Sequence, residues 1–158
     1  MKDQSNGLNE ENWVVEKLPY TGDVAPRGFL QLCADRRFHR VLQERFQQDA
    51  GLSSSLDYWI HADAGGTPKM EDLTIAPDYC YHDKKVRLMG WSAHGDGCGG
   101  FGESVPDDVI ERALRATAAK KRKIYEDAKH FVYFVTIKKE RETEETVVYS
   151  RICEKGSD

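Results

Sequence analysis

The chain has 158 residues, 39% hydrophobic and 32% charged, and a net charge of -4. That length suits one domain, and the balance excludes a disordered chain and a broad basic surface for nucleic acid. Nor does any apolar run approach the roughly 20 residues that a membrane-spanning helix needs.

The opening residues Met1 to Asn12 are polar and acidic, and they read as a disordered tail without an export signal. Gly28 to Cys33 is a short apolar run and predicts a buried strand. Phe38, Val41, Leu42 and Phe46 then recur at helical spacing, with Gly51 as the stop. Leu56 to Ile60 predicts a second strand, followed by a loop over His61 to Gly66. A short helix is expected around Met70 to Ile75, and a third strand over Val86 to Trp91 leads into the glycine-rich segment His94 to Gly102. Ser104, Pro106, Asp107 and Asp108 have the character of a helix start: a hydroxyl cap, a proline in the first turn and acids near the positive end of the dipole. Ile110, Ala113, Leu114 and Thr117 form the stripe of that helix, and Lys120 to Lys123 close it as a solvated basic face. Phe131 to Lys138 and Thr146 to Cys153 read as a hairpin. Strands alternating with helices imply an α/β fold, mainly a parallel sheet flanked by helices, with a C-terminal β-hairpin.

In such a sheet, ligands bind beyond the carboxyl ends of the strands, where the strand order reverses. The loops after the three strands therefore bring Cys33, Asp35, Arg37, His94 and Cys98 to one edge. Two thiolates and an imidazole suit Zn2+, leaving a fourth position for water or for another ligand. Asp35 can close that position itself, or it can pair with Arg37 and accept a hydrogen bond from the bound water. Cys80 and Cys153 have no such neighbours in sequence and read as packed or idle thiols. His61 is read as structural, Asp63 and Asp96 as turn residues, and Phe38, Trp91 and Phe101 as walls of a narrow apolar pocket. The domain expected is thus a single zinc-binding unit over 13–158, in a reducing cytoplasm.

Cys33-Ala34-Asp35-Arg36-Arg37 resembles the C-x-D-x-R signature of the β-class carbonic anhydrases. His94 and Cys98, followed by Gly99-Gly100, are similar to that family's later histidine and cysteine, and Ala64-Gly65-Gly66 is similar to its small-residue loop. The resemblance spans roughly Gly28 to Leu114 and implies Cys33, His94 and Cys98 as zinc ligands. It implies Asp35 and Arg37 as the pair that gates the metal, with hydration of carbon dioxide to bicarbonate as the reaction. His94 and Cys98 are four residues apart where the family separates them by three, and Gly95, Gly97 and Gly99 can absorb the additional residue. Family members pair through N-terminal helices, whereas here Trp13 to Leu18 is a single short segment before the first motif. The hairpin either extends the sheet or supplies a different homodimer contact. Two other functions fit the same donors: a non-catalytic zinc-stabilised binding or regulatory protein, and a zinc hydrolase acting on another small electrophile.

Overall fold

A computed structural model describes residues 25–140 and 143–153; from 139 onward only the backbone is described, apart from Glu145. The expected tail over 1–12 and the Trp13 to Leu18 segment lie outside these residues. Five strands form one sheet in the order β2-β1-β3-β4-β5: β1 (Gly28–Cys33), β2 (Tyr58–Asp63), β3 (Leu88–His94), β4 (Lys129–Glu140) and β5 (Thr143–Cys153). The first four are parallel and β5 returns antiparallel to β4, so the parallel sheet and its closing hairpin both follow the sequence pattern.

Helix α1 (His39–Ala50) connects β1 to β2, and α3 (Asp107–Ile124) connects β3 to β4. Every residue of β1 is buried, as a strand covered on both faces requires. Leu30 and Leu32 join Leu42 and Phe46 of α1, with Phe131, Tyr133 and Val135 of β4, in one apolar layer. Phe29, Met89 and Trp91 meet Ile110, Leu114 and Ala118 of α3 in the other. The chain leaves β1 towards β2 on one side and later returns to β3 on the other, which places the reversal of strand order at the carboxyl ends of β1 and β3.

Four local expectations are corrected. β2 starts at Tyr58 rather than Leu56, because Ser54 and Asp57 form a capping box around a short 3-10 turn over Ser55–Asp57. His61 to Asp63 therefore belong to the strand. No single helix fills Met70 to Ile75; a 3-10 turn over Thr67–Met70 with Pro68 in it precedes a short α2 (Ile75–Asp78), which runs into a wide helical turn over Tyr79–Asp83. β3 begins at Leu88, since Lys85 turns at φ 58° and the Val86 N–H is bonded to Cys80 O at 2.9 Å. Pairing with β4 then carries it through His94. Finally, Pro106 and not Ser104 stands at the cap of α3, with Asp107 and Asp108 in the first turn.

The basic run at the end of α3 also differs from its expected solvated character. Lys121 is 1% exposed, its Nζ donating to Glu71 O at 3.3 Å and lying 5.6 Å from the centre of the Trp91 ring. It falls seven residues beyond Leu114, so its methylene stem extends the apolar stripe of the helix. Burial holds its pKa below the usual lysine value, against the pull of Asp78, Glu71 and Asp72. No helix among the described residues is long and apolar enough to cross a membrane.

Candidate metal centre

β1 ends at Cys33 and β3 ends at His94, neighbouring strands whose carboxyl ends open on the same edge. The glycine-rich loop then folds Cys98 back over them through a short bridge between Cys98 and Gly102. All three side chains are buried, their ligand atoms lie within 4.8 Å of one another, and the two Sγ atoms are 4.0 Å apart. Among the described residues, this is the group of His, Cys, Asp and Glu side chains that could hold a metal ion.

The imidazole has one committed edge and one free edge. His94 Nδ1 donates to Gly95 O at 2.7 Å, while Nε2 is buried with no hydrogen-bond partner among the described residues. A buried acceptor without a partner is costly, and a cation between Nε2 and the two sulfurs would relieve that cost. The Nδ1 contact also selects the tautomer that leaves the Nε2 lone pair available. The donor set therefore fits a soft or borderline metal. Phe38 lies against the imidazole with ring centroids 4.8 Å apart, so the site has an apolar side.

Gly65 N–H donates to Cys33 Sγ at 3.3 Å. Burial acts to raise the Cys33 thiol, but the His94 imidazole and the N–H groups of Asp35 and Gly65 outweigh it, bringing the pKa from 9.0 to about 7. Cys98 moves the other way, raised by burial and then by the charge of Cys33. For His94, burial opposes the proton, yet the Cys33 thiolate, the Gly95 carbonyl and Asp35 together raise its pKa. Because the folded pKa of Cys33 lies below its unfolded value, its thiolate stabilises the metal-free fold fully above pH 9, and that contribution is lost as the pH falls through about 7. Urea unfolding of the metal-free protein and of Cys33→Ser should accordingly diverge between those limits and converge below them. A gap that ignores pH would contradict the assignment.

Asp35 and Arg37 flank the cluster. Asp35 accepts from Arg37 N at 3.0 Å, from Nε at 3.0 and 3.2 Å and from Nη2 at 2.8 Å. Arg37 holds the carboxyl below the usual carboxylate range. Asp35 Oδ2 stands 3.7 Å from His94 Nε2.

The glycine-rich loop that carries Cys98 meets the loop after β2, whose Gly65 N–H bonds Cys33, backbone to backbone at Gly100. A Cβ on Gly100 would meet the Ala64 and Gly65 backbone well inside van der Waals contact. Gly100→Ala should therefore push the Gly65 N–H away from Cys33 and cost about 1–3 kcal/mol in urea unfolding; an unchanged midpoint would mean that the loops yield freely.

Other sequence expectations have a definite outcome. His61 Nδ1 lies 3.2 Å from Gln31 Nε2, a contact within the sheet. Asp63 accepts from Ala64 N at 2.7 Å, as a turn aspartate does. Cys80 is buried in the core, where burial pushes its thiol up to about 11. Of the two places open to Trp91, pocket wall or core, the structure has the core: it is fully buried and stacked on Tyr125 and His130. Phe101 packs against that core layer, with Lys69 Nζ 4.6 Å from its ring centre.

Three contributors were not singled out from sequence. His39 Nε2 donates to Cys33 O at 2.7 Å, and its place at the helix start was the available signal. Asp107, read as a helix-dipole residue, instead accepts from Asp96 N at 2.9 Å and from Thr136 Oγ1 at 2.5 Å, tying the glycine-rich loop to β4. Nothing in the local sequence links Thr136 to that loop.

No family model matches the chain, and no curated protein matches it. Among solved structures it is similar to one from the work on two tetrameric β-carbonic anhydrases of the filamentous ascomycete Sordaria macrospora. The identity is 15% and the TM-score 0.43, over 78% of this chain and 84% of that one. It is also similar to the β-carbonic anhydrase CcaA, with 14% identity and a TM-score of 0.44 over 71% of this chain and 70% of that one.

Proposed function

We propose that the protein is a zinc-dependent lyase that reversibly hydrates carbon dioxide to bicarbonate, with Cys33, His94 and Cys98 holding the metal and Asp35 and Arg37 serving the reaction. The observation that carries this reading is the buried, partnerless His94 Nε2 facing two thiols beside a carboxylate that Arg37 engages. The likeness of Cys33-Ala34-Asp35-Arg36-Arg37 to the family signature supports it.

Zinc in this pocket would act as a Lewis acid, lowering towards neutrality the pKa of a water in its fourth position. The rest falls to the chain. Cys33 and Cys98 supply negative charge, with the Gly65 N–H moderating that of Cys33. His94 keeps its proton on Nδ1, which donates it to Gly95 O, so Nε2 would be free to hold the metal. Asp35, kept ionised by Arg37, would accept a hydrogen bond from the attacking water and orient it. Phe38 offers an apolar surface beside His94 for a linear, uncharged substrate.

A closed, non-catalytic site is the second reading, favoured by the short distance of 3.7 Å between Asp35 Oδ2 and His94 Nε2. Elemental analysis for zinc, run beside stopped-flow carbon dioxide hydration on the same sample, separates the two. One equivalent of zinc with hydration is the expected result. Zinc without hydration favours a closed site or another small electrophile, and no zinc removes the basis of the reading.

A further inference from the structure

Arg37 is shared between two carboxylates, and the second lies in the loop that is one residue longer than the β-carbonic anhydrase spacing. Its Nη1 donates to Asp96 Oδ2 at 3.1 Å, and Nη2 reaches Asp96 O and Gly97 O, each at 3.2 Å. Asp96 stands at φ 53° and Gly97 at φ 76°, so the left-handed turn that absorbs the additional residue also aims the Asp96 carboxylate at Arg37. Aspartate is among the few side chains that accept this conformation readily.

The turn is fixed from behind. Asp107 Oδ1 accepts from Asp96 N at 2.9 Å, and a Cβ on Gly95 would collide with the same carboxylate. A continuous path thus runs from Thr136 on β4 through Asp107 to Asp96, then through Arg37 to Asp35.

We propose that Asp96 is a positioning residue: it anchors the Arg37 guanidinium so that Asp35 stays engaged with Arg37 and out of the fourth metal position. This rests on the zinc reading above and explains what would keep such a site open. An exposed carboxylate at a turn would be a bland feature by itself. Here, however, Asp96 holds Nη1 of a guanidinium whose Nε and Nη2 hold Asp35, and Asp35 Oδ2 is only 3.7 Å from His94 Nε2. Removing Asp96 also removes a competitor for the charge of Arg37, which would tighten its grip on Asp35. Both effects are moderated by solvent, because the Arg37 and Asp96 side chains are 45% and 34% exposed, but only the anchorage fixes where Nη1 lies.

The test uses the full chain loaded with cobalt(II), with azide binding read from the visible spectrum, since azide needs an open metal position. Asp96→Gly keeps the turn while deleting the carboxylate. It should weaken azide binding by about two- to fivefold, the range for an exposed ion pair. Adding Asp35→Asn, which removes the carboxylate that would close the site, should restore azide binding to that of the unaltered protein. A merely structural role for Asp96 would not give that rescue. Unchanged or tighter azide binding in Asp96→Gly overturns the proposal, as does a double variant that fails to recover, or an unaltered protein that holds cobalt but refuses azide. Failure of the unaltered protein to hold one equivalent of cobalt would instead sink the metal reading, and this inference with it.

Discussion

On the proposed zinc reading, Cys98→Ser is expected to lower zinc affinity by more than about 100-fold and to take any carbon dioxide hydration to background, because losing a ligand should exceed the usual cost of losing a residue that supports one. Serine nearly matches cysteine in shape and keeps an acceptor for the Gly100 and Phe101 N–H groups that face the thiol, while Cys98 O still accepts from Phe101 N at 3.0 Å. The metal-free fold should therefore survive, with an unchanged far-ultraviolet circular dichroism spectrum. Cys80→Ser is the control: that thiol is buried in the core and lies outside the metal cluster, so zinc stoichiometry should be unaffected. Elemental analysis of the two variants decides the matter. Stoichiometric zinc in Cys98→Ser at unreduced affinity would remove Cys98 from the ligand set.

The second large effect is on stability. Trp91→Ala should cost about 3–5 kcal/mol, the range for deleting a large buried aromatic, and lower the melting temperature by on the order of 10 °C. Trp91 is fully buried, stacked near-parallel on Tyr125 at 5.9 Å and on His130 at 6.1 Å between centroids. Its Nε1 donates to His130 Nδ1 at 2.9 Å, and the buried Lys121 ammonium lies near its ring. Truncation would leave a cavity and strip both polar groups of their neighbour. Trp91→Phe keeps an aromatic surface while losing the donor, so its loss should be smaller. Calorimetry on the metal-free proteins ranks the three; a loss under about 1 kcal/mol for Trp91→Ala would mean that the surrounding side chains collapse into the space.

Much of this arrangement was legible because it depends on short-range patterns. A continuous apolar run reads as a strand buried on both faces, and β1 is such a strand from Gly28 to Cys33. Helical spacing located α1 and α3, and the alternation of strand and helix implied a parallel sheet. Once the sheet is parallel, the reversal of strand order between β1 and β3 brings Cys33 and His94 together, and the pairing of donor types points to a metal. Boundaries were less legible where a polar contact competed with extension. The Ser54 and Asp57 capping box delays β2, and the β4 ladder prolongs β3 through Ser92 and Ala93, whose small side chains carry little strand signal.

By itself, then, the sequence determined the α/β class, the parallel core and the identity of the donors gathered at one edge, since these follow from periodicity and from the chemical hardness of side chains. Packing was needed to show that His94 Nε2 has no hydrogen-bond partner among the described residues, that Asp35 is held by Arg37, and that Arg37 is in turn held by Asp96. It likewise placed Lys121 and Trp91 in the core rather than on a solvated face and a pocket wall. The physical reason is common to all of these. Each depends on which groups from distant segments satisfy a buried charge or hydrogen bond, and that pairing exists only when the segments are packed.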